Sequence, residues 1–161
     1  MKNKKVNFLI IITIIAILLD QIIKIIISSK VFNSSILVIP HVLKLTYIQN
    51  TGADFGIGSN STSMFVAVNL VIIGLIIYFI FSKKEEISKL ILIALHLIVA
   101  GGISNLIDRL IRGFVIDYID ISLLIRYPVF NLADIFIVVG CIIIAISLIK
   151  DVILKKKNIG E

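Results

Sequence analysis

Four stretches of the chain are almost purely apolar: Val6–Ile27, Met64–Phe81, Leu90–Ile107 and Val129–Ile149. A bilayer core of about 30 Å is crossed by about 20 apolar residues in a helix, so each stretch spans it or nearly does. The first is interrupted by Asp20 and Lys24, the second carries no charge, the third holds His96 as its one ionisable group, and the fourth has Asp134 near its start. Between the first two, Ile36–Ile48 is rich in β-branched and aromatic residues. It is broken by Pro40, alternates partially through Val42, Lys44, Thr46 and Ile48, and ends at the turn-like Asn50-Thr51-Gly52. This predicts short strands on the membrane surface, a platform for a substrate segment in extended form. The expected fold is an all-α membrane protein of four transmembrane helices with a small outer sheet, forming one membrane-embedded domain over residues 1–161.

Composition agrees. Of 161 residues, 59% are hydrophobic and 16% charged, whereas a soluble domain carries roughly 25% charged residues. The formal charge of +6 does not signal nucleic acid, because the lysines flank the apolar runs. Lys2, Lys4 and Lys5 precede the first run, Lys83, Lys84 and Lys89 separate the second from the third, and Lys150, Lys155, Lys156 and Lys157 follow the fourth. The positive-inside rule places these clusters and both termini in the cytoplasm. The segments Ser28–Ser63 and Asp108–Pro128 then face outward. A cleavable signal peptide is disfavoured, since the first run continues into Asp20-Gln21-Ile22-Ile23-Lys24 without an Ala-x-Ala-like site. Cys141 reads as a small buried hydrophobe.

Polar residues at the run edges carry the chemistry. Asp117 and Asp134 lie 17 positions apart at apolar boundaries, where carboxylates are costly and mark function. Asp20 and Lys24, spaced i, i+4, form a mutually neutralising pair or point together into the bundle. Gly101, Asn105, Asp108, Arg109 and Arg112 make one small-and-polar stripe. This is a packing seam with a solvated cap or part of a site, and Arg112 is the member best left to the cap. Asn131 and Asp134 suit a helix N-terminus. In a four-helix bundle these residues, with Asn50, collect at one membrane boundary.

Zinc hydrolysis lacks a ligand set, since the histidines are His41 and His96 and no His-Glu-x-x-His occurs. Ser104 has no evident base, Cys141 has no basic neighbour, and His96 reads as packed or hydrogen-bonded. A carboxylate pair remains, in which one member keeps a proton while the other activates water. The rival classes are a small membrane transporter, which would set its charges nearer the midplane, and a non-catalytic assembly subunit.

The motifs, taken in order, resemble the lipoprotein signal peptidases (signal peptidase II) of bacteria over nearly the whole chain. They are Asp20-x-x-x-Lys24, Asn50-Thr51-Gly52-Ala53-x-Phe55-Gly56, Gly101-Gly102-x-x-Asn105-Leu106-Ile107-Asp108-Arg109, Gly113-x-Val115-x-Asp117-Tyr118 and Phe130-Asn131-x-Ala133-Asp134. The resemblance implies an intramembrane aspartic endopeptidase with Asp117 and Asp134 as its dyad. The implied substrate is a diacylglyceryl-modified prolipoprotein, cut just before the lipidated cysteine. Asn50, Gly52, Asn105, Arg109 and Asn131 match positions that line the site or contact substrate, and Asp20, Lys24 and Asp108 match supporting positions. The resemblance also implies a bacterial cytoplasmic-membrane protein with its active site near the outer face, an outer β-cradle and a short outer helix or loop. A monomer in contact with lipid, with no metal or organic cofactor, is expected. Asp54 departs from the small residue expected there, and Ser104 stands where glycine is usual. Asp54 is expected to face water, and Ser104 to preserve close helix packing.

Overall fold

The computed structural model describes residues 2–52, 61–83 and 86–159, with the side chains of residues 2–7, 61 and 155–159 outside that set. The motif residues Ala53, Asp54, Phe55 and Gly56 and the flanking Lys84 therefore lie outside the described residues, as do the side chains of Lys2, Lys4, Lys5, Lys155, Lys156 and Lys157.

Four helices carry the apolar runs: α1 (Lys2–Lys30), α2 (Ser61–Lys83), α3 (Lys89–Arg112) and α4 (Leu132–Ile159). All four contain segments long and apolar enough to cross a membrane: Phe8–Lys30, Thr62–Lys83, Lys89–Arg112 and Leu132–Leu154. Large apolar side chains such as Ile14, Leu18, Val71, Leu75, Ile142 and Ile146 are exposed, an arrangement suited to hydrocarbon surroundings. Cys141 is exposed as well. Its apolar neighbourhood is the outside of α4, which corrects the buried placement expected from the sequence.

The third helix is the hub, packing on α1, α2 and α4. Small residues permit this, as in membrane bundles where helices meet by close contact. A Cβ on Gly101 would collide with the Ala133 carbonyl of α4, and one on Gly140 would lie 2.7 Å from the Ala94 carbonyl oxygen. Ser88 caps the start of α3, accepting from the Ile91 N–H at 3.3 Å. At the other end, Gly113 takes a left-handed conformation (φ 81°) and returns its N–H to the Arg109 carbonyl. The chain thereby turns directly from α3 into a strand. His96 is buried, with Nδ1 at 2.8 Å from the Leu92 carbonyl of its own helix.

The helices differ from the apolar runs at their ends, because caps rather than hydropathy set the boundaries. The third continues through Asp108–Arg112, residues expected in a loop, and the fourth begins at Leu132 rather than Val129. The expected strands form a hairpin, β1 (Ile36–Ile39) and β2 (Leu43–Asn50), turned at Pro40 and His41, whose φ is 60°. A third strand, β3 (Val115–Asp120), joins β2 antiparallel and was not anticipated. Buried on both faces, it shows no simple apolar–polar alternation. Ile116 and Tyr118 pack against Ile27 of α1 and Val31 just beyond its end, docking the sheet on the bundle end that carries the polar residues. The segment 121–129 is turn and loop.

Candidate active site

Asp134 is the third residue of α4, with Asn131 as its cap. The Asn131 Oδ1 accepts from the Asp134 N–H at 2.9 Å, and the Asp134 Oδ2 accepts from the Asn131 N–H at 3.1 Å. This reciprocal pair has the form of a capping box, so the local rule that starts the helix also aims the carboxylate. Phe130 pairs with Ile119, donating to its carbonyl at 3.1 Å and accepting from its N–H at 2.7 Å, which brings Asn131 beside β3.

Asp117 lies on β3 opposite Ile48, so Asn50 is its diagonal neighbour on the same sheet face. Asn50 donates from Nδ2 to the Asp117 Oδ2 at 2.8 Å, and Asn131 donates from Nδ2 to the Asp117 Oδ1 at 2.7 Å. The remaining oxygen, Asp134 Oδ1, accepts from Asn105 Nδ2 at 2.8 Å. Each of the four carboxylate oxygens thus meets one N–H, and Asn131 touches both acids. Gly52, at φ 76°, donates its N–H to Asn50 Oδ1 at 2.9 Å. A Cβ there would run into the Phe65 ring.

Behind this pair is a fully buried ionic cluster. Lys24 Nζ lies 2.8 Å from Asp20 Oδ2, 2.9 Å from Asp108 Oδ2 and 2.9 Å from Asn105 Oδ1. Asp20 also accepts from Ser104 Oγ at 2.6 Å, from the Ala133 N–H at 3.3 Å and from the Tyr118 hydroxyl at 3.4 Å. Asp108 accepts from the Ile116 N–H at 3.2 Å, from Gln21 Nε2 at 3.1 Å and from Arg112. Removing water is costly for each charge, and mutual pairing with satisfied hydrogen bonds makes the burial tolerable.

In front is a cleft of about 250 Å³ lined by Phe65, Val68, Asn69, Ile72, Asn105, Arg109, Asp134 and Ile137. The Arg109 guanidinium lies 5.3 Å from the Phe65 ring centroid, a cation–π distance. Its Nη1 donates to the Asn105 carbonyl at 3.4 Å, and its Nε is buried without a hydrogen-bond partner among the described residues. That N–H is available to a carbonyl entering the cleft.

Burial pushes the Asp117 carboxyl up to about 6, with the Asp134 charge adding to the rise while the Asn50 and Asn131 amides and Lys24 oppose it. Burial, together with the Asp20 charge, also raises the Tyr118 phenol, which keeps it a donor at neutral pH. An acid near 6 beside a second carboxylate titrates with it as a unit. Such a pair can hold one proton and one negative charge together in mildly acidic conditions around pH 6, the state needed for acid and base in a single step.

Asp20, Lys24, Asn50, Gly52, Asn105, Asp108, Asp117, Asn131 and Asp134 fall into one connected hydrogen-bond network, and Arg109 borders it at the cleft. Both readings of Asp20 and Lys24 hold, since they pair with each other and reach other polar groups. Arg112 is more than a solvated cap: it pairs with Asp108 and donates to Gln21 Oε1 at 3.3 Å. Ser104 does more than preserve packing, because its hydroxyl holds Asp20. Gln21 and Tyr118 were missed as site residues. A glutamine inside an apolar run and a tyrosine directly after Asp117 are the signals that pointed to them.

The family model described as Signal peptidase (SPase) II matches residues 12–150. The lipoprotein signal peptidases of Staphylococcus aureus strains JH9 and Newman are each 35% identical over 151 residues, covering 92% of this chain and 92% of theirs. Two solved structures described as a bacterial membrane enzyme obtained by the in meso method superpose with TM-scores of 0.80 and 0.82, both at 35% identity. They cover 91% and 90% of this chain, and 90% and 94% of their own.

Proposed function

The chain belongs to the signal peptidase II family, and from that premise we propose that Asp117 and Asp134 are the residues with which it cuts. Membership makes it a multi-pass bacterial membrane peptidase that removes the signal peptide from prolipoproteins. The observation that carries the dyad is the Asn131 bridge, which holds the two carboxylates in one network whose member Asp134 lines the cleft.

The reaction then runs as water-mediated acid–base catalysis. The ionised carboxylate removes a proton from water as its oxygen attacks the scissile carbonyl carbon. The protonated carboxyl gives its proton to the carbonyl oxygen, and a tetrahedral diol forms. Return of a proton to the amide nitrogen lets the C–N bond break, releasing a carboxylic acid and an amine. One N–H on each carboxylate oxygen holds the two groups in place and leaves each oxygen a lone pair for the shared proton, the water or the substrate. Arg109 at the cleft holds a substrate carbonyl, while Asn50 and Gly52 support Asp117.

The substrate is a precursor bearing diacylglycerol on the cysteine after the cut, whose acyl chains fix its depth and supply proximity. The lysine clusters favour cytoplasmic termini and a site near the outer face. Because one chain supplies every site residue, the enzyme acts as a monomer and a single membrane-embedded domain, with its apolar exterior in lipid. The test is cleavage of a lipidated precursor by Asp117→Asn and Asp134→Asn proteins purified in detergent. Each still folds and unfolds cooperatively and loses cleavage by at least about 10³-fold, the scale of removing a reacting acid or base. Substantial processing by either variant refutes the assignment.

A further inference from the structure

We propose that Lys24 is a positioning residue that turns the Asn105 amide nitrogen toward Asp134, and so keeps Asp134 able to carry the negative charge of the pair. The inference rests on reading Asp117 and Asp134 as the reacting acids. Three amides contact those acids, and an amide helps a carboxylate only if its nitrogen, not its oxygen, points there. Each amide is oriented by a group that can only donate. Gly52 N–H takes the Asn50 oxygen, Asp134 N–H takes the Asn131 oxygen, and Lys24 Nζ takes the Asn105 oxygen. Two of these donors are backbone. Lys24 is the only one of the three that a side-chain change removes.

Its own geometry is fully specified. An ammonium has three N–H donors and no acceptor, and Lys24 has three acceptors at 2.8–2.9 Å: Asp20 Oδ2, Asp108 Oδ2 and Asn105 Oδ1. With Lys24 absent, the Asn105 NH₂ is drawn to Asp20 Oδ2 and Asp108 Oδ2, the two buried oxygens that the ammonium leaves. Its oxygen then faces Asp134 Oδ1, an acceptor against an acceptor, which is tolerated only with a proton between them. Asn131 Nδ2, at 3.2 Å from the Asn105 oxygen and 2.7 Å from Asp117, would lose its second acceptor in that arrangement. The native orientation gives Asp134 Oδ1 a donor, and so leaves Asp134 as able to carry negative charge as Asp117, whose two oxygens also each meet an N–H. The charged and titratable groups facing this point are Asp20 and Lys24 from α1, Asp108, Arg109 and Arg112 from α3, and Asp117 and Tyr118 from β3. The α2 residues at the cleft, Phe65 and Asn69, are uncharged.

The experiment is a double-mutant cycle on the full chain in detergent, with pH profiles of kcat for a lipidated precursor. It compares wild type, Lys24→Met, Asn105→Leu and the double variant, with Asp134→Asn as reference. Loss of one hydrogen bond to a charged group moves the acid limb of the profile upward by about one to two pH units, and kcat at neutral pH falls about 10- to 100-fold. The same shift appears in Asn105→Leu, and the double variant adds nothing further, because Lys24 acts through Asn105. Additive effects, or an unmoved limb in Asn105→Leu, overturn the proposal. Asn105→Leu leaves Lys24 with both aspartates and isolates the Asn105 contact. Where Lys24→Met fails to fold, Lys24→Arg, which keeps a donor toward the Asn105 oxygen, retains the wild-type limb, and a limb displaced as in Asn105→Leu overturns the proposal. Cleavage by Asp134→Asn refutes the dyad assignment itself. An inactive Asp134→Asn beside an unmoved limb refutes only the role of Lys24.

Discussion

Replacing Asp117 by asparagine should abolish cleavage and change how stability depends on pH. Asp117 is 2% exposed, and burial lifts its carboxyl from an ordinary value of 3.8 to about 6. Because the folded form holds this proton more tightly than the unfolded chain, wild-type stability falls as pH rises from about 4 to 6 and is flat outside that window. A shift of that size corresponds to about 3 kcal/mol, at 1.36 kcal/mol per pH unit. The asparagine variant lacks this titration. It incurs a different, pH-independent cost of about 1–3 kcal/mol, because its NH₂ must face one of the two donors, Asn50 Nδ2 or Asn131 Nδ2. The variant is therefore less stable than wild type at pH 4 and equal or more stable at pH 8. The assay is thermal melting in detergent across pH 4–8. Three kcal/mol corresponds to a relative shift of about 6–12 °C for a chain of this size. Parallel melting curves for the two proteins across that range would show that burial does not raise Asp117, and the acid–base assignment would lose its electrostatic support.

Two further perturbations separate roles that coincide in the native protein. Asn131→Ser keeps an N-cap acceptor for the Asp134 N–H but is too short to reach Asp117. It should melt within a few degrees of wild type while losing about 10- to 100-fold in kcat/KM, whereas Asn131→Ala also loses the cap and about 1 kcal/mol of stability; equal activity of the serine variant and wild type would contradict the bridge. Gly101→Val places two methyl groups against the Ala133 carbonyl, one residue before Asp134. It should cost about 1–3 kcal/mol by overpacking and lower kcat more than it raises KM, measured with the same lipidated precursor.

The helices were legible because hydrocarbon solvent demands long apolar runs, and the hairpin because Pro40 and the Asn50-Thr51-Gly52 turn punctuate it. Both ends of α3 were read short, since Ser88 and Gly113 set them by hydrogen bonding rather than hydropathy, while the apolar run overshot the start of α4, which its Asn131 cap sets at Leu132. The strand carrying Asp117 was hidden for a physical reason. With both faces buried, Asp117 and Asp120 sit where an alternation rule expects apolar residues, and only the tertiary partners Asn50, Asn131 and Lys44 make those acids tolerable. The motifs named the right neighbourhood, but who donates to whom was not legible, because it depends on helix packing. Ser104 meets Asp20 across 84 positions of sequence, and Gln21 meets Arg112 across 91.

The buried charges also account for the protonation state of the pair. Four carboxylates, Asp20, Asp108, Asp117 and Asp134, converge with three cations, Lys24, Arg109 and Arg112, among the described residues. One negative charge is left over, and a single proton cancels it. Uncompensated charge is expensive at the end of a bundle buried in apolar surroundings, which is the same burial that lifts the Asp117 carboxyl to about 6. Asp20 and Asp108 are each held by several donors and by Lys24. On the proposed assignment of the reacting acids, groups well behind the cleft act on chemistry through the Asn105 amide as well as through shape.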